Sequence, residues 1–301
     1  MPMTARGTGD FNKLRILISG MSQSGKTFSL RSFIYGNYDY FNEEEREEAI
    51  EYAAGKSMVI LSAPGETGVR SLPEDTEHIT SYYEEVTTGQ DISSYAYSCA
   101  ALDDFNNLYK EVEKNKPDIL AIDGGHVLYD HIFNKVTQGQ WLSGEDMNIN
   151  NETGKSDKYR AARFHDTAQK VFVNYLGMYN SSAVPLFIMT VWEDWKAASS
   201  EGDRPQGIEA KRYLWPALAG AMSTKMPGKF DARLSARLER QCMHKNCEHS
   251  KNLEEHHVWQ IYPKNDVMGI GVKGLKMSPA MMSKPWIHQS WPVLKSLIER
   301  V

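Results

Sequence analysis

The segments KLRILIS, GMSQSGKT and FSLRSFI follow one another between Lys13 and Ile34. The first is a short apolar and β-branched run, which predicts a buried strand. The last carries Phe, Leu and Ile at helical spacing, which predicts a helix. Between them, Gly20–Thr27 matches the phosphate-binding pattern G-x-x-x-x-G-K-[ST] at every fixed position. A strand before the motif and a helix after it are the structural context that such a loop requires.

The chemistry of phosphate binding explains the fixed positions of this loop. Glycines let the backbone wrap around a phosphate and point N–H groups at it, and the following helix adds its positive N-terminal end. Lys26 supplies a mobile positive charge for the β- and γ-phosphates, and Thr27 offers a hydroxyl group to Mg²⁺. The motif therefore predicts binding of a nucleoside triphosphate, expected to be ATP, together with Mg²⁺. The predicted binding residues are Gly20, Ser22, Gln23, Ser24, Gly25, Lys26, Thr27 and Phe28.

Hydrolysis of a bound triphosphate also needs carboxylates. One at the end of a buried strand holds Mg²⁺ through water, and Asp123 is the candidate because it ends the apolar run Ile119–Asp123. The residues after it, Gly-Gly-His, do not supply a base for the attacking water. Glu66, just past the second predicted strand, is the first candidate for that base, and Glu193 is the second. Thr190 is a candidate for sensing the γ-phosphate.

Strands and helices alternate along the chain. Apolar runs predict strands at Ser57–Ala63, Ile119–Asp123 and Pro185–Val191, and helical periodicity predicts helices at Ala101–Lys116 and Tyr159–Tyr179. This alternation predicts an α/β fold with a mainly parallel central sheet flanked by helices. Beyond residue 230, the short runs Phe230–Leu238 and Val258–Tyr262 predict antiparallel strands at the C-terminal end of the sheet. Residues 1–12 are interpreted as a tail and 13–301 as one domain.

The composition is that of an ordinary globular protein, with 41% hydrophobic and 24% charged residues. No apolar run approaches the ~20 residues that span a bilayer, and the N-terminal residues contain no apolar signal core, so no membrane partner is expected. Three cysteines cannot form a disulfide framework, which favours a reducing, cytoplasmic location.

The charge is distributed unevenly along the chain. Residues 1–150 carry 12 Lys and Arg against 24 Asp and Glu, whereas residues 151–301 carry 22 against 15. The basic second half favours a polyanion partner, and scattered surface charge is the alternative interpretation.

Two polar stretches fit no regular element, and both are predicted on the ligand side of the sheet. They are an insert at 137–158 and a loop at 196–212. Aromatic residues flank the second stretch, where they could stack bases while Lys and Arg hold phosphates. The predicted nucleic-acid-binding residues are Lys196, Arg204, Lys211 and Arg212.

A hairpin rich in Cys and His is predicted at 242–257. Cys242, Cys247 and His249 are close in sequence, and His257 begins the predicted return strand. Four such side chains could form a tetrahedral Zn²⁺ site at the tip of the hairpin. The C-x₄-C spacing lies slightly outside the commonest range, and the alternative is a charged surface loop with free Cys and His side chains.

Together these features resemble phage-type RecA-like P-loop AAA ATPases, within them the group of single-strand annealing and recombination ATPases. The resemblance covers roughly residues 13–300. It rests on the loop at 20–27, Glu66, IDGG at 122–125, PLFIMTVWEDW at 185–195, WPALAG at 215–220, KFD at 229–231 and GVKGLK at 271–276. The insert at 137–158 departs from it because that insert is not basic, and the Cys/His segment is not part of the expected pattern.

The resemblance implies a RecA-like core and a homo-oligomeric ring or filament that hydrolyses ATP at its subunit interfaces. It implies that single-stranded DNA binds loops after the third and fourth strands, with a single-strand-binding protein as a further partner and the host cytoplasm as the location. Glu66 would be the base and Asp123 the magnesium carboxylate. Lys273 or Lys276 would reach a neighbour's γ-phosphate in the role of an arginine finger.

Two other function classes stay open at this stage. A P-loop motor or adaptor, such as a helicase loader or packaging factor, would use ATP to control protein assembly. A small-molecule kinase would share the phosphate loop, but the loop at 196–212 has only Arg204 and Arg212 where such kinases carry an Arg-rich lid. A guanine-specific GTPase is excluded, because Pro263-Lys-Asn-Asp266 is not the Asn-Lys-x-Asp base reader.

Overall fold

Nine strands, five α-helices and two 3-10 helices (Gly68–Ser71 and Met226–Lys229) lie within the part of the chain that the computed structural model describes. The described residues are 13–35, 56–72, 77–85, 91, 94–140, 145–150, 153–197, 212–218, 222–240, 251–252, 254–260, 286–289 and 294. In chain order the elements are β1 (Leu14–Gly20), α1 (Lys26–Tyr35), β2 (Met58–Ser62), β3 (Ile79–Tyr82), α2 (Tyr95–Asn115), β4 (Ile119–Asp123), α3 (Gly125–Thr137), α4 (Arg160–Ser181), β5 (Leu186–Ala197), β6 (Arg212–Pro216), α5 (Met222–Lys225), β7 (Ala232–Glu239), β8 (His256–Gln260) and β9 (Trp286–His288).

The strands form one sheet in the order β3-β2-β4-β5-β1-β7-β8-β9, and β6 pairs with β5 outside this path. Neighbours from β3 to β7 run parallel. The pairs β7–β8 and β8–β9 are antiparallel. The predicted α/β class is therefore confirmed as a mostly parallel sheet flanked by helices, with antiparallel strands at the C-terminal edge.

The core lies on both faces of this sheet. Every residue of β1 and of β4 is buried, as expected of central parallel strands covered on both sides. On one face α1 contributes Leu30 and Phe33 to a cluster with Ile16, and on the other face α2 and α4 contribute Phe105 and Phe172 to a separate cluster. Each such side chain stabilises the fold by ~1.5–3 kcal/mol through burial.

The fourth predicted strand is longer than the apolar run that indicated it. β5 continues past Val191 to Ala197 and pairs antiparallel with β6, so the outer residues of the predicted loop at 196–212 belong to a two-stranded ribbon. The pattern concealed this because β5 alternates there between exposed Trp192, buried Glu193 and exposed Asp194. A charged residue that is buried in a strand interrupts the apolar run, so the sequence alone predicts that the strand ends there.

The insert predicted at 137–158 begins where α3 ends, at Thr137. Its described residues include a short bridge between Ile149 and Ser156, closed by a hydrogen bond from Asn150 N to Lys155 O at 3.0 Å. Helix α3 was not predicted, although Leu128, Tyr129, Ile132 and Phe133 lie at helical spacing and are buried. Polar residues are buried in it as well, namely His126, His131 and Asn134. Within the described ranges, no helix is long and apolar enough to cross a membrane.

Candidate phosphate-binding site

The predicted phosphate loop lies between β1 and α1, at the carboxyl edge of the sheet. β1 ends at Gly20 and α1 begins at Lys26. Gly25 has φ +80°, in the left-handed region that favours glycine, and a Cβ there would lie 2.7 Å from His257 Nδ1. The loop therefore leads directly into α1. The first N–H groups of this helix have no intrahelical partner and can bind an anion.

The loop faces the predicted magnesium carboxylate. Thr27 Oγ1 donates a hydrogen bond to Asp123 Oδ2 at 2.9 Å, across 96 positions of sequence. Thr190 donates to the other carboxylate oxygen, Oδ1. The Thr190 hydroxyl in turn accepts a hydrogen bond from Gly124 N at 3.0 Å. The structure thus brings together three predicted site residues: Thr27, Asp123 and Thr190.

Strand β5 makes this meeting possible, because it lies between β1 and β4. In its register Trp192 is opposite Gly20 of β1, and Met189 is opposite Ile122 of β4. Thr190 therefore comes to the level of Asp123, between the phosphate loop and the carboxylate. Parallel strands place their carboxyl ends at one edge, which is where ligands bind in open α/β sheets.

Burial governs the charge of Asp123. Burial, with a contribution from the Glu66 carboxylate, raises the pKa of Asp123 to about 6, and the hydrogen bonds from Thr190 and Thr27 and the charge of Lys26 oppose the increase. Hydroxyl and carboxylate oxygens are the protein ligands that Mg²⁺ prefers. Thr27 and Asp123 therefore fit a Mg²⁺ ion, which would also relieve the cost of the buried charge.

Lys26 lies inside the site, with 7% of its surface exposed. Its Nζ donates to Met21 O at 2.7 Å, so the ammonium group folds back onto its own loop. Burial lowers the pKa of Lys26, and the carboxylates of Asp123, Glu66 and Glu193 oppose that decrease. A partly buried ammonium group near several carboxylates is placed to bind phosphate oxygens.

Glu66 projects into the same site from the segment that follows β2. Its Oε1 accepts hydrogen bonds from the backbone N–H groups of Thr67 and Gly68, each at 3.1 Å. Its Oε2 lies 3.9 Å from His126 Nε2. One oxygen is thus fixed by the backbone, and the other remains available to accept a proton from water.

Glu193 is less suited to that role. It lies inside β5, and its carboxylate pairs with Arg233 at 2.8 Å and with Arg237 at 2.6 Å. Hydroxyl groups of Ser19 and Ser235 also donate to it, at 2.6 and 3.0 Å. Burial raises the pKa of Glu193, but the charges of Arg233 and Arg237, together with hydrogen bonds from Ser19 and Arg233, hold that pKa below its ordinary value. A carboxylate engaged in this way is a poor base, so Glu66 is the better candidate.

Sequence reasoning missed Gly68. A Cβ at this position would lie 2.7 Å from Thr27 Oγ1 and 3.1 Å from Asp123 Oδ2. The backbone of the 3-10 helix Gly68–Ser71 therefore closes the side of the site where Thr27 and Asp123 meet. The sequence does contain a signal, since Gly68 follows Glu66 by two residues at the end of a strand.

The C-terminal strands support the phosphate loop from the other side, which was also missed. Gln289 Nε2 donates to Ser24 O at 3.1 Å and to Val258 O at 3.3 Å, joining the loop to β8. His257 in β8 has its ring against Gly25. Burial lowers the pKa of His257, and a hydrogen bond with the backbone of Ser24 opposes this.

Several predicted site residues lie outside the described residues. Of the proposed zinc ligands, His257 is described and contacts the phosphate loop, whereas Cys242, Cys247 and His249 are not described. Of the predicted nucleic-acid contacts, Lys196 and Arg212 belong to β5 and β6, while Arg204 and Lys211 are outside, as is Lys273. Among the residues that the structure covers, no group of three or more His, Cys, Asp or Glu could hold a metal ion. The zinc site stays a prediction.

No protein-family model matches the chain, and no curated protein matches it either. The function is therefore argued from the site.

Proposed function

We propose that the protein is a Mg²⁺-dependent, RecA-like P-loop ATPase that acts on single-stranded DNA in phage-type recombination or annealing. One observation carries the enzymatic part of this proposal. The Thr27 hydroxyl of the loop lies 2.9 Å from the buried carboxylate of Asp123, so a hydroxyl and a carboxylate for Mg²⁺ converge beside the lysine of a phosphate loop.

Each side chain of the site has a role in this proposal. Lys26 would leave Met21 O and bind the β- and γ-phosphates, while the first N–H groups of α1 bind their oxygens. Bound Mg²⁺ would neutralise charge that develops on the phosphates, held by Thr27 and, through water, by Asp123. Glu66 would orient the attacking water and take its proton at Oε2. Thr190 keeps Asp123 in its orientation.

The DNA part of the proposal depends on charge, the β5–β6 ribbon and the resemblance. Residues 151–301 carry an excess of basic over acidic residues. Strand β5 extends past the site and forms the ribbon with β6, and Lys196 and Arg212 lie on neighbouring pairs of that ribbon. Basic residues on a ribbon at the nucleotide edge would allow a bound DNA strand and a bound nucleotide to affect one another.

The Lys26→Ala variant tests the enzymatic part. We expect it to lose nucleotide binding or turnover, because the phosphates lose their main cationic partner, whereas Lys135→Ala should behave like the wild type. Lys135 is a matched control because it is an exposed lysine that forms an ion pair with Asp103, at 3.5 Å. Binding of a fluorescent nucleotide analogue and release of phosphate give the two readouts. Unchanged hydrolysis in Lys26→Ala would remove the loop from the mechanism.

A further inference from the structure

His126 connects the proposed base to the surface. Its Nε2 lies 3.9 Å from Glu66 Oε2, the carboxylate oxygen that the backbone leaves available. Its imidazole stacks on the indole of Trp192, with ring centroids 4.6 Å apart and planes inclined by 26°. His126 is buried, whereas Trp192 is 46% exposed. The three side chains form a row from the site to solvent.

The stacking contact orients the imidazole. Among the described residues, Nδ1 of His126 is buried and has no hydrogen-bond partner, so no hydrogen bond at that nitrogen fixes the ring. Burial and the charge of Lys26 lower the pKa of His126 to about 3, so the ring is neutral at physiological pH. A neutral imidazole next to Glu66 restricts where the carboxylate can lie without forming an ion pair with it.

Trp192 is placed to receive a ligand. In β5 it lies opposite Gly20, the first residue of the phosphate loop, and the ribbon with β6 begins at the next residue, Glu193. An aromatic ring that is half exposed beside a ribbon that carries Lys196 and Arg212 is a stacking platform for an unpaired base.

We propose that His126 is a positioning residue for Glu66, that Trp192 holds it in place, and that a base of single-stranded DNA stacked on Trp192 alters turnover through this row. The inference rests on the proposed function and adds its regulation. The contact involves no new chemistry, because Glu66 keeps the role of the base.

Variants of His126 test the positioning role. His126→Phe keeps a ring under Trp192 but removes Nε2, so kcat should fall by about tenfold or more, while KM and binding of a non-hydrolysable analogue stay within about twofold of the wild type. His126→Gln places an amide nitrogen near Nε2 and should recover part of kcat. A wild-type kcat in a folded His126→Phe protein would overturn the positioning role.

Variants of Trp192 test the same row from the surface, where loss of folding is not expected. Trp192→Ala should lower kcat because His126 loses its stacking partner, and Trp192→Phe should retain most of it. Tyr159→Ala is the control, since Tyr159 is also an exposed aromatic residue, with its ring beneath the Lys158 ammonium group. Equal kcat in Trp192→Ala and the wild type would overturn the orienting role of Trp192.

Adding an oligonucleotide tests whether a base stacked on Trp192 alters turnover. Stimulation of turnover by single-stranded DNA should fall to less than about half of the wild-type stimulation in Trp192→Ala and stay unchanged in Tyr159→Ala. Full stimulation of Trp192→Ala, or none of the wild type, would overturn the coupling while leaving the ATPase in place. A wild-type protein that neither binds nor hydrolyses ATP would instead overturn the proposed function, and this inference with it.

Discussion

At the scale of single residues, the fold disfavours the charged form of the Asp123 carboxyl group, and a bound metal ion would favour it. Its pKa is about 6 in the folded protein against an ordinary 3.8, chiefly because it is buried. Between those values the folded state binds the proton more tightly than the unfolded chain does. The free energy of unfolding therefore decreases as pH rises through this window, by up to about 3 kcal/mol at neutral pH.

Replacing Asp123 by Asn separates stability from function. Asp123→Asn removes the buried charge, keeps an acceptor oxygen for one of the two threonine hydroxyls and turns an amide N–H toward the oxygen of the other. Without ligand, its melting temperature at pH 7 should therefore equal or exceed that of the wild type, by a few degrees. Its Mg²⁺-dependent turnover should fall by about 10² or more. The Mg²⁺ concentration that the wild type needs for half-maximal turnover should increase as pH falls through about 6, because the proton competes with the metal for Asp123. A melting temperature well below wild type, or a Mg²⁺ requirement that is the same at pH 5 and pH 7, would contradict this interpretation.

Glu66 allows a second substitution at this scale. Glu66→Gln preserves the acceptor oxygen that Thr67 and Gly68 hold but cannot take a proton from water. Turnover should fall by ~10²–10⁴, while affinity for a non-hydrolysable analogue stays near the wild-type value. Single-turnover kinetics separates these quantities. Turnover close to wild type would mean that another group activates the water.

At the scale of elements, β8 and β9 support the phosphate loop. Gln289 follows β9 directly and donates to Ser24 O and Val258 O, so Gln289→Leu would leave two buried carbonyl groups without that donor. Affinity for ATP should fall by about tenfold, while kcat at saturation stays unchanged. Gln169→Leu is the control, because Gln169 lies on α4 and accepts a long bond from Lys225, at 3.4 Å. Calorimetric titration measures the affinities. A lower melting temperature with unchanged affinity would show that Gln289 supports the sheet and not the loop.

The helices and strands also show which parts of the site could be predicted from the sequence. The loop at 20–27 and Asp123 are local signals, so sequence could predict both, and parallel topology brought them to one edge. His126 and Gln289 carry no local signal, because their roles depend on which strands and helices become neighbours. The full length of β5 was missed for the same reason, since buried Glu193 is stabilised by arginines of β7, a strand far away in sequence.

At the scale of the whole molecule, the prediction concerns DNA and assembly. Single-stranded DNA should increase ATP turnover more than duplex does, and the effect should decrease steeply as salt rises, because phosphate contacts release counterions. Sedimentation with a non-hydrolysable analogue and an oligonucleotide should reveal a ring or filament larger than the free protein. If neither stimulation nor a salt slope is found, the assembly adaptor or the kinase becomes the better interpretation.

The position of β5 between β1 and β4 has a consequence for synthesis of the chain. Of the three strands β1, β4 and β5, the central one, β5, is the last to leave the ribosome. In a nascent chain that ends before residue 186, β1 and β4 have no strand between them. These two strands are fully buried in the folded protein, and at that stage their edges are exposed. Such an intermediate should need a chaperone, and it should acquire ATP protection against proteolysis only after β5 has emerged.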